Sequence, residues 1–96
     1  MTIDKTNIIQ YFEEDLEDSL PLMEFTEAEK EDITTAKISM KKNMAEDNIR
    51  EQTIIIQQYL DNYQHQYGST PELLVLQGRI NQIRIIFNLI DGDNEL

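Results

Sequence analysis

Between Leu73 and Ile90 the chain places eleven large apolar side chains in eighteen positions, LLVLQGRINQIRIIFNLI, within 96 residues whose formal net charge is -11. A segment of this kind has to be hidden, and its spacing says how. Leu73, Leu76, Ile80, Ile83, Phe87 and Ile90 repeat with three-four alternation, the seam of a helix that packs along another helix. Leu74, Val75, Ile85, Ile86 and Leu89 fall outside that seam, and Gly78 offers a point of close backbone approach. One helical neighbour cannot cover both surfaces. Burying the five off-seam side chains at ~1.5 kcal/mol each is worth several kcal/mol, comparable with the whole stability of a small domain. The segment approaches membrane-spanning length, but Arg79, Arg84, Gln77, Gln82, Asn81 and Asn88 are costly in hydrocarbon, so a spanning helix is not expected.

The rest of the chain supplies candidate neighbours. Ile9, Phe12, Leu16 and Leu20 recur at three- and four-residue spacing among Glu13, Glu14, Glu17 and Asp18, which predicts an amphipathic helix over roughly residues 5–19. Asp4 or Thr6 is placed to cap it, and Pro21 ends it, because the residue before a proline resists the α conformation. A connector over 20–26 follows. Thr26 and Glu29 have the spacing of a capping box. From Glu27 to Gln66 there is neither Gly nor Pro, so the expectation is one long helix over about 27–66, a rod of about 60 Å. Its apolar stripe changes phase at Ala45 to Asn48: Ile33, Ala36, Met40 and Met44 lie on one face, and Ile49, Ile56, Leu60, Tyr63 and Tyr67 on another. The rod therefore bends there or its halves face different partners. Gly68 closes this helix, and Thr70, Pro71 and Glu72 open a last one over about 71–91, antiparallel to the residues before it. The expected fold is all-α: a short first helix, a long central helix and a C-terminal helix that together form a helical hairpin in a single domain.

Charge and residue types narrow the function. Residues 1–32 hold eleven Asp and Glu against Lys5 and Lys30, a net of -9. Such a field repels phosphates, and the scattered Lys37, Lys41, Lys42, Arg50, Arg79 and Arg84 form no basic stripe, so direct nucleic-acid binding is not expected. With no cysteine there is neither a disulfide framework nor a thiolate metal site. His65 stands alone and lacks the companions of a common zinc or di-iron set. Ser39-Met40-Lys41-Lys42 matches S-x-x-K without the motifs that accompany it in acyl-enzymes. The tail DGDNEL is too short for an EF-hand loop. No phosphate loop and no nucleophile with a base is visible, so neither an enzyme nor a cofactor is expected. Tyr59, Tyr63 and Tyr67 form either an aromatic contact stripe or an ordinary helix interface, and Met23, Met40 and Met44 either a docking surface or core filling. The opening residues lack the basic start and apolar run of a signal peptide, so a cytoplasmic protein, or one packed in a virion, is expected.

The run Leu76-Gln77-Gly78-Arg79-Ile80, followed by Ile83, resembles the C-terminal helix of small all-helical phage proteins over about twenty residues. The resemblance implies a helical fold and a virion or accessory setting. It transfers no site residues. Two functions follow from the residues themselves. The first is a non-enzymatic interaction or assembly protein that binds itself or a larger protein assembly through Val75, Gly78, Ile85, Ile86 and Leu89. The alternative is an acidic inhibitor that offers Glu13, Glu14, Glu17 and Asp18 to the basic groove of a nucleic-acid enzyme, in the manner of an anti-CRISPR or anti-restriction protein.

Overall fold

In the computed structural model, which describes residues 2–89, the seam residues Leu73, Leu76, Ile80 and Ile83 have no exposed surface at all, and Phe87 has almost none. The first four lie on α4 (Pro71–Ile86) and Phe87 caps its end; α4 is packed from two sides by α1 (Ile8–Ser19) and α3 (Glu46–Tyr67). A fourth helix, α2 (Glu27–Lys42), closes the circuit between α1 and α3. The described residues are all-α. Ile90 and the tail DGDNEL lie outside them.

Ties near opposite ends of each neighbouring pair set the directions. Between α2 and α3, Tyr59 Oη donates to Asp32 while Asn48 Nδ2 donates to the Ser39 carbonyl at 3.1 Å. Between α3 and α4, Gln77 Nε2 donates to Gln64 Oε1 at 3.3 Å, and Arg50 Nη1 to the Leu89 carbonyl at 3.2 Å. Lys5 lies over the Phe87 ring at 5.5 Å and Arg79 Nε reaches Asp15 Oδ2 at 2.6 Å, so α1 runs antiparallel to α4 as well. The result is an up-down-up-down circuit of four helices measuring 33 × 30 × 26 Å.

Those dimensions correct the expectation of an unbroken rod over 27–66. The chain leaves the helix at Asn43, which is extended, and α3 starts at Glu46 after Ala45. Side chains replace the lost helical bonds: Asn43 Oδ1 accepts from the Ala45 N–H at 3.0 Å, and Asn48 Nδ2 donates to the Asn43 carbonyl at 2.8 Å. The fold-back lets both apolar stripes enter one core, with Ile33, Ala36 and Met40 from α2 and Ile49, Ile56, Leu60 and Tyr63 from α3. Met44 lies in the turn and is exposed. A local signal marks the break even without Gly or Pro. Lys41 and Lys42 stand in the last turn of α2 and Glu46 and Asp47 in the first turn of α3, the charge order that two helix dipoles favour at an end followed by a start.

The remaining boundaries follow their caps. Thr26 and Glu29 form the reciprocal capping box, Thr70 Oγ1 accepts from the Leu73 N–H at 3.2 Å with Pro71 behind it, and Gly68 ends α3 at φ 82°. At the front, Asp4 bonds Thr6 and Asn7 in a turn, so α1 starts at Ile8 and not at residue 5. Pro21 sits in a short 3-10 turn, Leu20–Leu22, that follows α1; Leu20 keeps α geometry before it, so the α-helix gives way to the tighter turn without the residue before the proline leaving the α region. The C-terminal helix is also shorter than expected, ending at Ile86. Asn88 adopts the left-handed conformation at φ 58°, its N–H bonds the Ile85 carbonyl at 3.1 Å, and the Leu89 N–H bonds the Arg84 carbonyl at 2.7 Å. This is a Schellman ending, and it folds Leu89 back onto the core. Replacing Asn88 by Ala is expected to lower the unfolding free energy in urea by about 1 kcal/mol, because a Cβ-bearing residue without a short amide pays for the left-handed conformation. Asn88→Gly should stay within about 0.5 kcal/mol of the parent.

Candidate functional site

The outer face of α4 is exposed and carries apolar side chains. Along it run Pro71, Leu74, Val75, Gly78, Asn81 and Ile85, all exposed, with no ionisable group among them. Leu74 is 55 % exposed, Val75 49 % and Ile85 59 %. Of the five residues expected at an interface, Val75, Gly78 and Ile85 share this face. Ile86 turns inward and packs partly buried against the core, and Leu89, at 4 % exposure, is enclosed by its own chain. The placement of Leu89 corrects the expectation for a physical reason: the Schellman ending reverses the backbone one residue before it. Leu74 belongs with the exposed set, since a helix brings residues 74, 78 and 85 onto one line.

Gly78 is informative here. A Cβ built on it would meet nothing within 4 Å, and its backbone is not in the left-handed region. Neither packing within the chain nor backbone geometry therefore requires glycine, although glycine within a helix costs about 1 kcal/mol relative to alanine.

The acidic face of α1 is partly neutralised from within. Glu13 is bridged by two lysines of α2: Lys41 Nζ donates to Oε1 and Oε2 at 3.0 Å each, and Lys37 Nζ to Oε2 at 3.0 Å. These hydrogen bonds, Lys41 first and Lys37 second, hold the Glu13 carboxyl below the usual carboxylate range. Glu14, Glu17 and Asp18 remain on the exposed side. Sequence reasoning also missed Asp15, whose partner Arg79 makes a second bond to Gln82 Oε1 at 2.9 Å and lies 5.4 Å from the Tyr11 ring centre. These partners stand 24 to 64 residues away along the chain, beyond the reach of any local pattern.

At the opposite end of α3, Tyr63 is buried between Phe25 and Tyr67, with ring centres 4.7 Å apart on each side. Its hydroxyl accepts the Glu24 N–H at 3.0 Å. The Tyr59 hydroxyl donates to Asp32, which pushes its ionisation up, with Glu29 adding to the effect. His65 is exposed, Met40 is core, and among the described residues no group of three or more His, Cys, Asp or Glu is placed to hold a metal ion. Among the described residues, no helix is long and apolar enough to cross a membrane. Comparison with protein-family models, curated proteins and solved structures finds no match to the chain.

The Glu13 bridge gives the fold a pH dependence of known sign. Because the folded-state pKa is lowered, its stabilisation is complete above the ordinary glutamate value of about 4.3 and is lost as pH falls through the lowered value. Glu13→Gln is expected to reduce unfolding free energy by about 1 kcal/mol at pH 7, with the difference from the parent closing in acid; chemical denaturation at pH 7, 4 and 2.5 measures it.

Proposed function

We propose that this protein is a non-enzymatic interaction module that self-associates through the outer face of α4. The observation that carries the reading is the coincidence of three exposed apolar side chains, Leu74, Val75 and Ile85, with a glycine that the chain's own packing does not need. A second backbone approaching at Gly78 supplies the missing reason for that glycine. The spacing also suits a two-fold axis. Leu74 and Ile85 are equidistant from the midpoint between Gly78 and Asn81, so in an antiparallel pair Leu74 of one copy meets Ile85 of the other at both ends. Two chains of charge -11 repel, which makes an uncharged strip the favourable place of contact. A virion or accessory assembly built from such pairs is the setting that the phage-like helix suggests.

A second reading, an acidic inhibitor of a nucleic-acid enzyme with a basic groove, keeps support from the exposed Glu14, Glu17 and Asp18, although Glu13 already has two lysines. Salt separates the two. Screening should tighten self-association between like-charged copies and weaken an acidic protein's hold on a basic groove.

Gly78→Ala provides the sharpest test because its two effects have opposite signs. It is expected to raise the unfolding free energy of the monomer by about 0.5–1 kcal/mol while weakening the dimer. Sedimentation velocity over a micromolar concentration series should show reversible dimers for the parent, fewer for Gly78→Ala, and monomer only for Leu74→Glu combined with Ile85→Glu. A parent that stays monomeric throughout the series contradicts the reading.

A further inference from the structure

The tyrosine stripe of α3 lines a surface notch that contains no residue of the α4 strip. Where the last turns of α3 face the segment before α2, Tyr59, Tyr63, Tyr67 and Phe25 line a notch of about 140 Å³, with Glu24 and Glu29 on its wall. At ~30 Å³ per water this is the space of four or five water molecules, far below the 300–1,000 Å³ of a pocket for a cofactor or drug-sized ligand. It suits one side-chain head group.

The chemistry of the wall selects the charge of that group. Aromatic faces carry negative quadrupole density and attract cations, guanidinium above all because it also stacks. Two carboxylates share the notch, and no lysine, arginine or histidine lines it. Both the rings and one acid are held in place before anything binds. Tyr63 is fixed by the Glu24 N–H and by rings on either side, Tyr59 by Asp32, and Glu29 by the Thr26 N–H at 2.8 Å. The Glu29 bond uses one oxygen and leaves its charge in place. Tyr67, by contrast, is half exposed, so the mouth is open to a partner.

We infer that this notch is a receptor for one cationic side chain of a basic protein segment, arginine in preference to lysine, held against the Tyr59 and Tyr67 rings over the buried floor of Tyr63, beside the carboxylates of Glu24 and Glu29. The overall net charge of -11 attracts basic segments to the protein, and the notch then selects the side chain. No residue of the α4 strip lines the site, which does not depend on self-association.

The test is a two-dimensional NMR titration of the isotope-labelled full chain at 0.15 M salt with three capped tripeptides, whose central residue is arginine, lysine or glutamate between glycines. The arginine peptide should give saturable shifts confined to residues 24–29 and 59–67, the lysine peptide weaker ones at the same places, and the glutamate peptide none. Tyr67→Leu and Glu24→Gln, both surface changes, should each weaken the arginine peptide about threefold or more. Glu17→Gln removes the same charge on α1 and should leave the affinity unchanged. Shifts spread evenly over the acidic surface, or equal losses from Glu24→Gln and Glu17→Gln, would overturn the inference by showing attraction to net charge alone.

Discussion

The structure depends on one constraint: α4 has to be covered on two sides. Its buried side chains Leu73, Leu76, Ile80 and Ile83, with Phe87 at its C-cap, sit on the helix that α1 and α3 both contact. At roughly 1.5–3 kcal/mol each, their burial amounts to about 10 kcal/mol before conformational entropy is subtracted, the scale of a small domain's entire stability. A two-helix hairpin has only one side to offer. The circuit closes because α2 folds back at Asn43, bringing α1 to the second face of α4 while Arg79, on α4, fastens to Asp15 and lies over Tyr11, both on α1.

Much of this arrangement is legible along the chain, and the exceptions have physical causes. Elements bounded by strong local chemistry are where the spacing puts them: the Thr26 and Glu29 box, the Gly68 stop, and the Thr70 and Pro71 start. The seam of α4 reads directly from its three-four alternation. The break at Asn43 is harder to see, because composition favours a continuous helix and the fold-back is stabilised by tertiary burial that no local window contains. The phase change in the apolar stripe marks the right place, and the lysine-then-acid order across residues 41–47 is compatible with a helix end followed by a start. Leu89 misleads for a related cause. Helical periodicity assigns it to an outer face, whereas Asn88 ends the helical geometry just before it.

Of the surface features, the exposed strip on α4 is legible only in part. Val75, Gly78 and Ile85 are recognisable because they fall off the seam, while Ile86 and Leu89 fall off it equally and turn inward. Periodicity distinguishes seam from remainder but not which part of the remainder a third helix covers. The acidic face shows the same limit. Glu13 looks like its neighbours in sequence, yet its two lysines make it an internal tie between α1 and α2. The acidic charge is therefore unevenly available: none lies on the α4 strip, Glu13 is tied to two lysines, and Glu24 and Glu29 line the tyrosine notch.

A single chain closes its own core by laying α1 on α4. Native-state hydrogen exchange followed residue by residue, at a concentration where the protein is monomeric, probes that closure. Amides of Phe12 and Leu16 in α1 and of Ile80 and Ile83 in α4 should open together, at the free energy of global unfolding. Exchange of α1 at a much lower free energy, with α4 still protected, would contradict that closure, since α4 would then hold its burial without the helix said to complete it.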